Sequence, residues 1–548
     1  MVNARQKEGI IMKSKIPAWL ASAVFYEIYP QSFYDANGDG IGDIAGIIGK
    51  LDHVKSLGAN AIWLNPCFTS PFQDAGYDIS DFYSVDPRYG TNEDLRRLFS
   101  SAKEKGIRVI LDLVAGHTSV EHPWFKESAR ATKNKYSNWY IWTDSVWHGG
   151  SGHATVNGYG ERDGNYLTNF FWFQPALNYG FAKPDPKCPW QLPVTHPDVK
   201  AVRAELKNIM RFWLDMGASG FRVDMAASLV KGDQDKKAVS SFWHEVRAMF
   251  DRNYPDAVLV SEWGSPEQAI PAGFHMDFTI HCGSLGKAYT SLLRNDPGSN
   301  VFPVNGVSFF NRSGKGDITA FLKDYLAVHA KIKSKGHISI PTGNHDLPRI
   351  SFNRNHRDCE LIFAFLLTMP GVPFIYYGDE IGLAQQSDLT SKEGGYNRTG
   401  ARTPMQWNNG KNAGFSRADE KSIYLPVDNK KGRPSVEEQE HDRSSLLNKI
   451  RVLSELRHTN PALASDGELT IVYAKQKTYP LIYLRADEHG RFLIAINPSQ
   501  KPVSLKLRTA KIKQIRECVI DRGAIISMKK GTCSFSMRGV SYGVYKIE

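Results

Sequence analysis

The segment Ser219–Asp224, Ser-Gly-Phe-Arg-Val-Asp, is a short apolar run that ends on an acidic residue, and similar runs recur along the chain. Such runs suit strands that are buried on both faces of a parallel sheet. Amphipathic helical segments separate them. About eight such units predict an α/β fold, a closed (β/α)8 barrel (TIM barrel), because closure removes the edges of a parallel sheet. The other predicted strands are Val24–Tyr29, Ala61–Asn65, Ile107–Leu113, Ala257–Glu262, His337–Pro341 and Pro373–Tyr377, with a weaker candidate near Met276–His281.

Two stretches depart from this alternation. Residues 114–218 are far longer than a crossover needs and are rich in Trp, Tyr, Asn and Gly. Long loops at the C-terminal mouth of a barrel usually carry function, so we predict an inserted domain B after the third strand. From about Ala464 the pattern changes to short alternating strands, which predicts a C-terminal antiparallel β-sandwich. The predicted domains are an N-terminal extension at 1–20, the barrel at 21–117 and 198–463, the insertion at 118–197 and the C-terminal domain at 464–548.

The composition excludes several classes of protein. Apolar residues make up 41% and charged residues 23%, which excludes a fibrous or disordered chain. The longest apolar stretch, Ile362–Tyr377, contains two prolines and is too short for a membrane helix of about 20 residues. The six cysteines include no CxxC pair and no zinc spacing. The first residues lack the apolar core of a secretory signal, so we expect a reduced, cytoplasmic protein.

The net charge of +11 raises the possibility of a nucleic-acid partner. Residues 501–548 hold 11 Lys and Arg against 3 Asp and Glu, so most of the excess lies in this segment. The charges alternate with apolar residues, as in Val503–Arg508, which indicates a strand with one solvated face. We therefore expect no nucleic-acid partner; a phosphate-binding surface is the alternative.

Three acidic residues, Asp224, Glu262 and Asp346, stand at or just after the ends of predicted barrel strands. In a barrel these ends converge on one face, where catalysis takes place. Each residue alone could simply cap the following helix. Together they suit glycoside hydrolysis, which needs one carboxylate at the anomeric carbon and one carboxylic acid to protonate the leaving oxygen. We expect Arg222 to keep Asp224 ionised and a less solvated Glu262 to keep its proton.

Several motifs in a fixed order carry a family resemblance: DLVAGH at 112–117, QPALN at 174–178, GFRVD at 220–224, SEWG at 261–264 and GNHD at 343–346. With these motifs the chain resembles the α-amylase family, glycoside hydrolase family 13. The resemblance implies Asp224 as nucleophile, Glu262 as general acid/base and Asp346 as transition-state stabiliser. It also implies a set of residues that bind the sugar: His117, Gln174, Arg222 and His345.

Two further segments bear on the substrate. Tyr77 and Asp78 in AGYD, and Arg402 in ARTPMQW, resemble the oligo-1,6-glucosidase and α-glucosidase branch, where the aspartate and arginine grip the non-reducing-end glucose. The resemblance implies an exo-acting enzyme on short α-gluco-oligosaccharides with α-1,4 or α-1,6 bonds; core packing is the alternative for Tyr77. A trehalose-synthase-like transglycosylase or isomerase is the close alternative, and an endo-acting α-amylase a weaker one. A non-catalytic barrel is disfavoured because all three carboxylates are present.

The segment 35–43 alternates acidic and amide side chains with glycines, a pattern that suits a hard cation. Gly46 at the twelfth position excludes an EF-hand. In the α-glucosidase branch the same loop binds calcium, which implies a structural Ca2+, or Mg2+, with a metal-free polar turn as the alternative. Gly116, where the family usually has asparagine, weakens the case for a second calcium site. The implied ligands are Asp35, Asn37, Asp39, Asp43 and the carbonyl of Ile41.

Overall fold

The computed structural model describes residues 16–296, 306–394 and 396–548, so residues 1–15 of the predicted N-terminal extension lie outside the described residues. Eight parallel strands form a closed barrel, in which each strand pairs with the next along the chain and the last pairs with the first. All predicted strands are confirmed, including the weak candidate near Met276. The strands are β1 Phe25–Ile28, β2 Ala61–Leu64, β3 Arg108–Leu113, β4 Gly220–Val223, β5 Val258–Ser261, β6 Met276–Phe278, β7 His337–Pro341 and β8 Val372–Tyr376.

The barrel interior changes character along its axis. Phe25, Trp63 and Ile110 belong to one buried apolar cluster that fills the lower part of the barrel. Because side chains on a strand alternate between its two faces, the residue two positions further on points to the same interior. On β1 and β3 that residue is Glu27 and Asp112, both buried. The alternation of side chains along the strands therefore places a layer of apolar side chains inside the barrel, followed by a layer of charged side chains at the carboxyl end.

Helices cover the outside of the barrel. In α3, Thr91 caps the N-terminus in a reciprocal capping box with Asp94, which satisfies two backbone N–H groups. The spacing of the apolar residues between Ile44 and Leu57 predicts a single helix, but the helix is divided at Lys50, which follows Gly49 and has non-helical backbone angles. The helices are α1 Ile44–Gly49, α2 Leu51–Ser56, α3 Asn92–Glu104, α4 Pro123–Ser128, α5 Pro197–Met216, α6 Lys237–Asn253, α7 Pro266–Ala269, α8 Gly286–Leu293, α9 Ile318–Ile332, α10 His356–Thr368, α11 Val436–His441 and α12 Leu446–Thr459.

The insertion after β3 contains α4 and a short antiparallel pair, Thr155–Asn157 with Asn165–Leu167. The chain after α12 forms the predicted C-terminal antiparallel domain as one sheet of six strands, whose last strand pairs with three others. Within the described residues, no helix has the length and apolar character needed to cross a membrane. The sheet strands are β9 Glu468–Lys475, β10 Thr478–Ala486, β11 Arg491–Asn497, β12 Val503–Arg508, β13 Ile515–Lys529 and β14 Thr532–Ile547.

Candidate active site

The parallel pairing of β3, β4 and β5 brings Asp224 and Glu262 side by side. The N–H of Asp224 donates to the carbonyl of Leu113 at 3.0 Å, and that of Glu262 donates to Val223 at 2.9 Å. Each carboxylate thus follows directly on the end of its strand. Met225 then adopts a positive φ of 44° and donates its N–H to Glu262 Oε2 at 3.0 Å. This strained backbone holds the Glu262 carboxylate against Met225, the residue that follows Asp224.

Arg222 connects the carboxylates of this group. Its Nη1 lies 2.9 Å from Asp112 Oδ1 and 3.1 Å from Asp224 Oδ1, and its Nη2 lies 2.9 Å from Glu262 Oε2. Burial alone would lower the pKa of this guanidinium, but Asp112 and Glu262 raise it well above its usual value. Arg222 is therefore a fixed positive charge among three carboxylates.

The protonation of Asp224 differs from the sequence-based expectation that Arg222 alone would keep it ionised. Burial, and next the charge of Glu262, raise the pKa of Asp224 well above its usual range, with Arg222 opposing them. The two carboxyl groups also share a hydrogen bond. Two carboxylates in contact cannot both ionise easily, which is one reason why the pKa of Asp224 is raised.

Asp346 lies in a strongly cationic environment. Its carboxylate accepts from Arg398 Nη1 at 2.6 Å and from Arg402 Nη2 at 3.2 Å, and its Oδ2 lies 3.2 Å from His345 Nε2. Although burial raises the pKa of Asp346, His345 and Arg398 lower it well below the usual range. Asp346 is therefore ionised at neutral pH, as a stabiliser of positive charge requires.

Tyr77 lies between Asp112, which contacts Arg222, and His345, which contacts Asp346. Its hydroxyl donates to Asp112 at 2.8 Å, and its ring stacks on His345 with 5.1 Å between centroids. His117 lies behind it, with Nε2 3.0 Å from the carbonyl of Tyr77 and Nδ1 3.0 Å from the amide nitrogen of Asn169. Burial lowers the pKa of His117 to about 4, so its ring is neutral.

The unusual Gly116 has a local explanation. A Cβ at this position would lie 2.6 Å from the Asn169 amide nitrogen, so a side chain here would displace that amide from His117. The Asn169 oxygen lies 3.4 Å from Lys231 Nζ, whose pKa is lowered by burial to about 8. An amide from the insertion and a buried lysine thus occupy the space beside Gly116.

The structure separates the two aspartates of the loop 70–78. Asp78 accepts from Ser70 Oγ at 3.0 Å and from the N–H of Gln73 at 2.9 Å, so it holds its own loop together. Asp74 instead lies 3.3 Å from Arg398 Nη2 and accepts from Gln174 Nε2 at 2.8 Å. Asp74 is therefore the aspartate that contacts Arg398, and the buried Gln174 holds it in place.

Sequence reasoning missed three residues of this region: Asp74, Arg398 and Asp277. Asp74 lies directly before the recognised AGYD segment, three positions before Tyr77. Arg398 precedes Arg402 by one helical turn but carries no motif of its own. Asp277, buried on β6, accepts from Ser261 Oγ at 2.7 Å and from the N–H of Trp263 at 3.0 Å. It therefore fixes the backbone on both sides of Glu262.

The predicted calcium loop is held by its own backbone. Asp35 accepts from the N–H groups of Gly38 at 2.6 Å and Gly40 at 2.8 Å, and Asp43 accepts from Gly46 at 2.6 Å. Across the described ranges, no group of three or more His, Cys, Asp or Glu side chains is placed to hold a metal ion. The calcium ligand set therefore stays a prediction.

Comparisons with known proteins agree with this geometry. A family model described as the alpha-amylase catalytic domain matches residues 27–466. Trehalose synthase/amylase TreS of Mycobacterium tuberculosis strain H37Rv is 31% identical over 540 residues, which cover 90% of this chain and 84% of that protein. Oligo-1,6-glucosidase of Heyndrickxia coagulans is 29% identical over 550 residues, which cover 89% of this chain and 93% of that protein.

The solved structures include a similar enzyme. The crystal structure of the trehalulose synthase MutB from Pseudomonas mesoacidophila MX-45 superposes with a TM-score of 0.79 at 27% identity, over 97% of this chain and 99% of that one. The match of the family model to most of the chain, together with these relatives, decides the family. The chain belongs to the α-amylase family, glycoside hydrolase family 13, and is a glycoside hydrolase enzyme.

Proposed function

We propose that the protein is a retaining glycosidase that cleaves α-1,4 or α-1,6 glucosidic bonds of short gluco-oligosaccharides from the non-reducing end. The observation that carries this proposal is the contact between Asp224 and Glu262, which share a hydrogen bond and the guanidinium of Arg222. An inverting enzyme needs about 6.5–9.5 Å between its carboxyl groups to hold a water molecule. A pair in contact leaves no such space, so it favours direct attack on the sugar.

In the proposed reaction, a sugar that enters between the two carboxyl groups breaks their hydrogen bond. Asp224, ionised, attacks the anomeric carbon while Glu262 gives its proton to the leaving oxygen, and the glycosidic bond breaks. A covalent glucosyl ester of Asp224 results. Glu262, now ionised, takes a proton from water, whose oxygen attacks the anomeric carbon and releases Asp224. The ionised Asp346 accepts hydrogen bonds from the sugar that strengthen in the transition state.

The proposed preference of the enzyme for a chain end rests on Arg398, Arg402 and the groups that they contact. Arg398 joins Asp346 to Asp74, and Arg402 donates to the carbonyl of His345 at 2.8 Å as well as to Asp346. These groups supply donors and acceptors for the hydroxyls of one terminal glucose. In this proposal the ion-paired side chains also end the cleft behind that sugar, which favours exo-action over cleavage inside a long chain.

Transfer to a second sugar is the other candidate outcome. The loop 168–173 at the rim exposes Phe170 and Trp172 by 59% and 56%. Exposed aromatic rings beside a site can hold a departing sugar and limit the access of water. The trehalose synthase/amylase and trehalulose synthase relatives also favour this outcome. In it, a sugar hydroxyl takes the place of water in the second step.

The products distinguish the two outcomes. The protein is incubated with maltose, isomaltose, sucrose and trehalose, and the products are identified by chromatography. Glucose without a new disaccharide supports hydrolysis, whereas trehalose formed from maltose, or an isomer formed from sucrose, supports transfer. A 2-deoxy-2-fluoroglucosyl fluoride should label Asp224, and peptide mass spectrometry locates the label. A label on another carboxylate would contradict the assigned nucleophile.

For the loop 35–43 we propose a structural Ca2+, held by Asp35, Asn37, Asp39, Asp43 and the carbonyl of Ile41. The donors are all oxygen atoms, and burial raises the pKa of Asp43, with Asp35 adding to the effect. An ion there would stabilise the folded state by mass action without a chemical role. After treatment with chelator, added Ca2+ should raise the unfolding midpoint of the protein but not of Asp39→Ala. Equal midpoints with and without Ca2+ would contradict the proposal.

A further inference from the structure

Glu27 is a fully buried carboxylate on β1, next to the site but outside the group of residues assigned above. Its Oε1 lies 3.0 Å from His345 Nδ1, and the other ring nitrogen of His345 lies 3.2 Å from Asp346 Oδ2. The three side chains therefore form a row in which an imidazole ring lies between two carboxylates.

The surroundings fix the orientation of this row. The ring of Tyr77 stacks on His345, and Trp63 meets the same ring edge-on with 5.9 Å between centroids. Asn65, in the amide orientation that satisfies its neighbours, donates to Glu27 Oε1 at 3.2 Å. The ring of His345 cannot rotate without losing these contacts, so Nδ1 stays toward Glu27 and Nε2 toward Asp346.

The charges around His345 decide its protonation. In the described part of the chain, Glu27 Oε2 has no hydrogen-bond partner, and burial raises the pKa of Glu27 while His345 opposes that rise, so the carboxylate depends on nearby positive charge. Although burial lowers the pKa of His345, Asp346 and Glu27 raise it to about 9. The charged or titratable groups that face the ring or its carboxylate partners are Glu27 from β1, Asp112 from β3, Arg222 from β4, Tyr376 from β8, Tyr77, His281, Arg398 and Arg402 from the connecting segments, and Asp346 from its own loop.

We propose that Glu27 is a positioning residue that keeps His345 doubly protonated, with its Nε2–H directed at Asp346. Glu27 does not touch the sugar in this scheme. It acts through His345, which as a cation keeps the Asp346 carboxylate ionised. The catalytic part of this inference rests on the proposed function, whereas the protonation of His345 does not.

The first test measures His345 directly. NMR of histidine-labelled protein, with the His345 signal assigned by its loss in His345→Gln, follows the ring from pH 6 to pH 10. We expect the wild-type ring to be doubly protonated at pH 7.5. A neutral ring in the wild type would overturn the proposal, whatever the variants do. In Glu27→Gln, which keeps a hydrogen-bond acceptor but removes the charge, we expect the His345 pKa to fall by about one to two.

Kinetics give the second test. Turnover also needs the proton that Glu262 gives to the leaving oxygen, so the kinetics are compared with the NMR titration. Loss of the Glu27 charge lowers the His345 pKa, and the alkaline limb of kcat/KM moves to lower pH where His345 loses its proton first. A merely structural role would lower activity at all pH values and leave the His345 titration unchanged, and that combination would overturn the proposal.

Glu380→Gln is the matched control. Glu380 is also a fully buried carboxylate beside a histidine: it accepts from Tyr26 at 2.7 Å and lies 3.0 Å from His53 Nε2. We expect it to change stability while the His345 titration and the alkaline limb stay as in the wild type. If no sugar is turned over, the proposed function fails, but the NMR titration still decides whether Glu27 controls His345.

Discussion

Two pairs of buried arginines lie in different parts of the molecule and have different partners. Arg222 and Arg402 lie at the carboxyl end of the barrel and contact carboxylates: Arg222 contacts three, and Arg402 contacts Asp346. Arg457 and Arg485 lie where the C-terminal sheet meets the barrel, and their partners are backbone carbonyls and one serine hydroxyl. All four side chains are buried.

The junction pair closes the end of one helix. Arg457, from α12, donates to the carbonyls of Leu367 and Met369 at 3.2 Å each, and Arg485, from β10, donates to Thr368. These carbonyls end α10, where the helix dipole is negative and backbone acceptors lack partners. Burial, and the charge of Arg485 beside it, lower the pKa of Arg457 to about 9.

The contrast shows that the partner sets the role of a buried arginine. Among carboxylates the guanidinium controls which group carries a proton, because every member of the cluster can titrate. Among carbonyls it fixes geometry, because its planar set of donors satisfies several acceptors that cannot titrate near neutral pH. Substitutions in the first region should therefore change chemistry, and substitutions in the second should change stability.

The largest effect is expected from Glu262→Gln. The substitution keeps the shape of the side chain but removes the carboxylic acid that we propose as the proton donor to the leaving oxygen. We expect kcat to fall by about 10²- to 10⁴-fold, the range that general acid catalysis contributes. Circular dichroism and the unfolding midpoint should stay close to the wild-type values. Activity close to that of the wild type would remove Glu262 from its assigned role.

A matched pair of substitutions tests the contrast itself. Arg222→Lys should lower kcat by about 100-fold, because an ammonium cannot contact Asp112, Asp224 and Glu262 with one planar group. Arg457→Lys should leave kcat within about twofold but lower the unfolding midpoint by roughly 2–5 °C, since buried carbonyls lose donors. Steady-state kinetics and thermal unfolding of both variants give the comparison.

The opposite pattern would break the distinction between the two regions. If Arg457→Lys lowered kcat as strongly as Arg222→Lys at equal stability, the junction would be coupled to the site. Arg485→Lys provides a second measurement at the same junction and should resemble Arg457→Lys. Agreement between the two junction variants would assign the effect to the whole junction. Disagreement would assign it to the local packing of one side chain.

Sequence patterns predicted the barrel because strands buried on both faces leave continuous apolar runs, and all eight were found by this signal. They could not predict the junction arginines. Arg457 and Arg485 bind carbonyls, which every residue carries, so nothing in the sequence marks their partners. The break at Lys50 was also missed, because the apolar spacing of α1 and α2 continues across it.

In the site, motif order identified Asp224, Glu262 and Asp346, and the structure brings the first two into contact and surrounds the third with His345, Arg398 and Arg402. Finer assignments depended on contacts that no motif contains. Asp74 and Asp78 lie in one short loop, and only the fold shows which of them meets Arg398. The raised pKa of Asp224 likewise depends on burial and on its contact with Glu262, neither of which a sequence specifies.

The smallest expected effect, a dependence of stability on pH, separates the two regions because carbonyls do not titrate. The raised His345 pKa of about 9 means that the folded state holds this proton more tightly than the unfolded chain, whose histidines titrate near 6.5. The contribution of this proton to the free energy of unfolding, about 3 kcal/mol at most, is therefore complete below pH 6.5. It is lost as the pH rises through 9. His117, with a pKa lowered to about 4, adds stability as the pH rises from 4 to 6.5.

Unfolding midpoints should fall from pH 7 to 9 in the wild type and more weakly in His345→Gln. Arg457→Gln, which introduces no titrating group, should be lower throughout and parallel to the wild type from pH 7 to 8, and a curve that diverges there would show that the junction contains a further titrating group.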